Sequence, residues 1–165
     1  MSRHLLRKET IKLGLMGQTK KEVFAELLEL IPGSTLKPVK RKKLLEALLG
    51  RERFGTTAIG EGIALPHVVS DVIDQPIAAL GLSREGIDFA SLDGEPVHLC
   101  YLLLLPQNAQ AVSSKKTWLL GAQAVLSDSF VSRLLHRAGS AEEIYTVLNE
   151  RPEWLSDTVE VLAAS

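Results

Sequence analysis

A single cysteine, Cys100, means that no disulfide can form within the chain. Its place in the apolar run Leu99 to Leu105 reads as a buried, inert thiol suited to a reducing cytoplasm. Aromatic residues make up only 5% of the sequence, and none interrupts its one concentrated basic run, Lys37-Pro38-Val39-Lys40-Arg41-Lys42-Lys43, so stacking on single-stranded nucleic acid has little support. Formal charge is −1, which excludes a global field for capturing nucleic acid or anionic membrane and requires any anion site to be local. No apolar run approaches a membrane span, and the segment Met1 to Glu9 carries charges where a signal peptide needs a long apolar core. A soluble, cytoplasmic protein is the expectation.

Two familiar phosphate motifs are also missing. Gly55-x4-Gly60 begins like a P-loop, but Glu61 and Gly62 stand where the motif needs Lys and Ser/Thr. Gly60-x-Gly62 begins like a dinucleotide fingerprint, but Leu65 replaces the last glycine. Asp71 and Asp74 follow His67 without the second histidine or tight spacing of a metal site, and they read as a hydrated loop.

What is present is enough for one domain: 165 residues, 45% hydrophobic and 24% charged, can bury a sizeable core. The expected unit spans 1–165, with a core at about 5–150 and a tail, 151–165, that adds a short helix or frays. A strand is expected at Ile11–Leu15, and the apolar spacing of Val23, Phe24, Leu27, Leu28 and Ile31 predicts a helix over Lys20–Ile31 opened by Gly17-Gln18-Thr19. A second helix is expected over Val39–Leu49 with Gly50 at its end. Strands follow at Gln75–Leu82 and Val97–Leu105, separated by the turn signal Asp93-Gly94. The second is nearly continuously apolar, as a central strand covered on both faces should be. Three helices close the pattern at Ser114–Leu126, Ser129–Arg137 and Ala141–Leu148, the last begun by the capping box Ser140-x-x-Glu143. This order predicts an α+β, or mixed α/β, domain with helices on both sheet faces.

The segment richest in chemistry runs from Gly55 to His67, where a glycine-rich loop with hydroxyls at Thr56 and Thr57 leads through an apolar stretch to a histidine. Such a loop can turn backbone N–H groups toward an anion, while a largely neutral imidazole supplies a nucleophile. His98 on a strand, His136 near a helix C-terminus and the terminal His4 read as structural or solvated.

Three segments together, Arg51-Glu52-x-x-Gly55-Thr56-Thr57, Gly62-Ile63-Ala64-Leu65-Pro66-His67 and Asp93-Gly94-x-Pro96-Val97-x-Leu99 leading into Leu102 to Pro106, carry a family resemblance. From about Leu13 to Leu148 the chain resembles the mannitol/fructose-type (type-2) enzyme IIA domains of the bacterial phosphoenolpyruvate-dependent phosphotransferase system, especially the stand-alone nitrogen-regulatory enzyme IIA. The resemblance implies a mixed sheet between helical layers (α/β/α) and a phosphocarrier that takes phosphate on His67 from a histidine of a small HPr-like protein. Arg51 would steady the phosphate, with Gly55, Thr56, Thr57 and Gly62 as further phosphate-binding positions and no metal or cofactor. Many members carry a second histidine where Lys115 stands, a lysine able to offer charge but not a neutral acceptor. Val68 follows His67 where a small residue is common.

Two other readings remain at this stage. The same fold can serve as a regulatory interaction module that takes no phosphate, or the basic run can bind nucleic acid. A hydrolase is disfavoured because no nucleophilic serine or cysteine motif accompanies His67.

Overall fold

The computed structural model describes residues 5–151; His4 and the tail from Pro152 onward lie outside them. After a short 3-10 turn at Lys8–Thr10, the elements run β1 (Ile11–Leu13), α1 (Lys20–Glu29), α2 (Pro38–Glu52), β2 (Ala58–Gly60), β3 (Ile63–Ala64), β4 (His67–Ser70), β5 (Ile77–Ile87), β6 (Val97–Pro106), α3 (Ala109–Leu126), α4 (Ser129–Arg137) and α5 (Ala141–Asn149). Strand order is β1-β5-β6-β3-β2, and β4 also pairs with β6, beyond the end of β3. The sheet is mixed: β1 is parallel to β5, β5 antiparallel to β6, and β3 and β4 both parallel to β6.

β6 is central because its alternation feeds two cores. Leu99, Tyr101, Leu103 and Leu105 join the side chains of α3, α4 and α5. Cys100, Leu102 and Leu104 join those of α1 and α2 on the opposite face. The pattern slips one residue at its start, where the N–H groups of His98 and Leu99 both donate to Gly62 O, at 2.8 and 2.9 Å. Cys100 is fully enclosed, and burial pushes its thiol pKa up, so it stays protonated.

Element ends depart from the sequence expectations for physical reasons. α2 does not stop at Gly50 but continues through Arg51 and Glu52, whose packing offsets the propensity penalty of one glycine. β1 ends at Leu13 because Gly14 takes a φ of +76°. β5 continues past Leu82 to Ile87 through a register shift. α3 begins at Ala109, five residues before the expected start, because Asn108 Oδ1 accepts from Ala111 N–H at 2.8 Å. α1 stops at Glu29, while α4 matches its expected bounds. In α5 the cap holds, with Ser140 Oγ accepting from Glu143 N–H at 3.1 Å, but the Glu143 carboxylate reaches Gly139 N–H instead of Ser140.

Candidate phosphoryl site

His67 is the first residue of β4, opposite Leu103 of the central strand, which places its half-buried ring at the edge of the sheet beside α2. Val68 falls on the other side of the strand and packs into the core under α1 and α2, so it does not cover the imidazole. His67 Nδ1 lies 2.8 Å from Leu65 O. A carbonyl only accepts, so Nδ1 carries the proton and Nε2 carries the lone pair of the neutral ring. Burial lowers the imidazole pKa below its ordinary 6.5; the Leu65 hydrogen bond raises it, Lys115 and Arg51 push it down again, and Glu52 pulls it up. The net direction keeps the ring neutral at physiological pH.

The cations come from two elements. Arg51 sits in the last turn of α2, where positive charge is favoured, and its Nη1 donates to Gly55 O at 3.0 Å. Lys115 lies in α3, and its charge is felt at His67 together with that of Arg51. The site therefore unites Arg51, the Gly55 loop, His67 and Lys115. The Thr56 and Thr57 hydroxyls, expected to face a phosphate, send their protons inward: Thr56 Oγ1 donates to Phe89 O at 2.6 Å and Thr57 Oγ1 to the Glu52 carboxylate. They fix the loop. Gly62 is not gathered at His67: it closes the β2–β3 turn, and β3 pairs with β6 four residues before His67 does, about 13 Å along the strand. In that turn Gly60, Glu61 and Gly62 all have positive φ, which glycine tolerates, while Asp93 holds Glu61 N–H at 2.9 Å.

Two participants escaped the sequence reading. Leu65 acts through a backbone carbonyl, which has no side-chain signature, although the following Pro66 biases Leu65 toward extended backbone. Glu52 belongs to the quoted motif but not to the expected site; its 5% exposed side chain accepts from Thr57 N–H at 3.1 Å and pairs with Lys20 at 2.6 Å.

The sequence family described as phosphoenolpyruvate-dependent sugar phosphotransferase system, EIIA 2, matches residues 4–151. The chain belongs to this family. A nitrogen regulatory protein of Bradyrhizobium diazoefficiens is 33% identical over 144 residues, covering 87% of this chain and 92% of that protein. The fructose-specific EIIABC component of Bacillus subtilis is 32% identical over 88% of this chain, which spans only 22% of that longer protein. The crystal structure of nitrogen regulatory protein IIA-Ntr from Neisseria meningitidis superposes with a TM-score of 0.75 at 29% identity, covering 87% of this chain and 95% of that one. As an enzyme IIA of type 2, the chain is a phosphotransferase-system component with the mixed-sheet fold of its relatives.

Two cations of the basic run have partners away from His67. Lys43 of the basic run pairs with Asp71 at 2.9 Å, and Arg41 Nη2 donates to Ile31 O at 2.7 Å. Among the described residues no three His, Cys, Asp or Glu side chains converge to hold a metal, and no helix is long and apolar enough to cross a membrane. His98 and His136 each bond a backbone carbonyl through Nδ1, Ser83 O at 2.8 Å and Ser132 O at 2.7 Å.

Proposed function

We propose that this enzyme IIA unit is a cytoplasmic phosphocarrier that accepts a phosphoryl group on Nε2 of His67 from the phosphohistidine of an HPr-like protein, in a regulatory branch of the nitrogen type. The observation that carries the reading is the 2.8 Å bond from His67 Nδ1 to Leu65 O, which leaves Nε2 as the nucleophilic nitrogen. As the donor's P–N bond breaks, the Nε2–P bond forms in line, and each ring keeps the proton on its other nitrogen. His67 gains positive charge as its Nε2–P bond forms, and the Leu65 carbonyl stabilises that charge. Arg51 and Lys115 offset the negative charge of the phosphoryl oxygens. A phosphate there changes the surface from cationic to anionic, which alters what the site can bind.

Support for the regulatory branch comes from relatives named nitrogen regulatory protein, one of which this chain covers over 92% of its length. Incubation with a phosphoenolpyruvate-driven enzyme I and HPr relay, read by intact mass at mildly alkaline pH, should add one acid-labile phosphate to the wild type and none to His67→Ala. No gain under conditions that phosphorylate a control enzyme IIA would leave the interaction module, with Lys115 in place of the family's second histidine, as the better reading.

A further inference from the structure

The imidazole is the end of a hydrogen-bonded chain that starts on another helix. Lys20, the first residue of α1, pairs with Glu52 at 2.6 Å, and its ammonium lies 5.3 Å from the centre of the Phe89 ring. Glu52, the last residue of α2, accepts from both the backbone N–H and the hydroxyl of Thr57. Thr57 O accepts from Leu65 N–H at 3.0 Å, and Leu65 O accepts from His67 Nδ1–H. A parallel tie runs from Thr56 Oγ1 to Phe89 O, while Ala58 N–H donates to Thr56 Oγ1 at 3.1 Å.

We infer that Glu52, anchored by Lys20, is the positioning residue that sets the tautomer and aim of His67 through Thr57 and Leu65. Chemistry supports this over a purely structural ion pair. A pair between Lys20 and Glu52 alone needs no third partner, yet Thr57 spends both of its donors on this carboxylate, and the Thr57 carbonyl orients the residue whose own carbonyl holds the ring. Pro66 has no N–H to hold the segment from that side, but its carbonyl accepts from Leu103 N–H at 2.9 Å. The aim of the Leu65 carbonyl is thus held at two points, by that bond and by the Leu65 N–H bond to Thr57 O, and Glu52 acts on the second. Loss of the Glu52 charge frees Thr57, lets the Leu65 carbonyl turn, and allows His67 to populate the tautomer with its proton on Nε2, which cannot attack phosphorus. The inference rests on His67 being the phosphoryl acceptor, but the tautomer itself can be measured without phosphate.

Imidazole 15N NMR on the full, unphosphorylated chain reads which nitrogen carries the proton. Wild type should show Nδ1 protonated and Nε2 bare, whereas Glu52→Gln and the milder, isosteric Thr57→Val should show both forms. In the relay assay the same variants should lose transfer through kcat, on the order of ten- to a hundredfold for Glu52→Gln, with KM for phospho-HPr little changed. Glu52→Asp should recover part of the rate because it restores the charge. If Glu52→Gln does not fold, Thr57→Val carries the test alone. Variants that keep the wild-type tautomer and kcat while merely melting earlier would overturn the inference. A wild type that takes no phosphate, but whose tautomer still responds to both substitutions, would sink the acceptor reading and leave the positioning role standing.

Discussion

His67 shows how its surroundings alter the chemistry of a residue of ordinary type. Burial, then the nearby Lys115 and Arg51 charges, lower its pKa, while the Leu65 bond and Glu52 oppose them. Removing one cation should therefore let the imidazolium form more readily: the NMR titration midpoint of His67 is expected below 6.5 in wild type and higher in Lys115→Gln. An unchanged midpoint would remove Lys115 from the site. The linkage to stability has a definite sign. With the folded-state pKa depressed, the unfolded chain binds the proton more readily, so the contribution of His67 is fully present above about pH 6.5 and is lost as pH falls through that value toward the folded one. At this scale the sequence pointed to candidate side chains, His67 and Arg51, and was silent on the backbone carbonyl of Leu65 that bonds the ring.

Individual elements are specified by their ends as much as by their apolar stripes. α4 matches its expected bounds, and the structure shows why it starts where it does: Asp128 accepts from both Phe130 and Val131 N–H groups, while Val131 and Leu135 are buried on one face. α3 was legible only from Ser114 onward, since the Asn108 cap that sets its start is easily taken for loop chemistry. Asn108→Ala should destabilise the protein by about 1 kcal/mol and lower Tm by roughly 2–4 °C, as read by calorimetry. A Tm that does not move would mean that the helix start is fixed by packing alone. The basic run at the start of α2 illustrates the opposite case. Its charges oppose the helix dipole, yet Arg41 and Lys43 are drawn to Ile31 O and Asp71, contacts that no local pattern reveals.

For the molecule as a whole, stability is concentrated in the strand shared by two cores. Leu102 is fully buried at the centre of β6, whereas Leu92 is 98% exposed on a turn. Leu102→Ala should cost about 2–5 kcal/mol in urea unfolding, while Leu92→Ala should stay within about 0.5 kcal/mol of wild type. Comparable losses at the two positions would contradict the two-sided burial of β6. The same strand also organises the site. It pairs with β3, β4 and β5, so it brings the loop after α2 and the start of β4 to one edge, while the helix that follows it carries Lys115 to the same place.

The sequence by itself determined the family, the two-faced central strand and most of the helices, and it singled out His67 as the candidate, because these depend on local periodicity, turn chemistry and three ordered motifs. Only the tertiary structure decided that the threonine hydroxyls turn inward, that Gly62 belongs to a distant turn, and that Lys20 and Glu52 connect to the imidazole through Thr57 and Leu65. Those outcomes depend on which donors and acceptors meet when α1, α2 and the sheet close on one another. A buried hydrogen bond chooses its partner by three-dimensional proximity, which spacing along the chain does not encode.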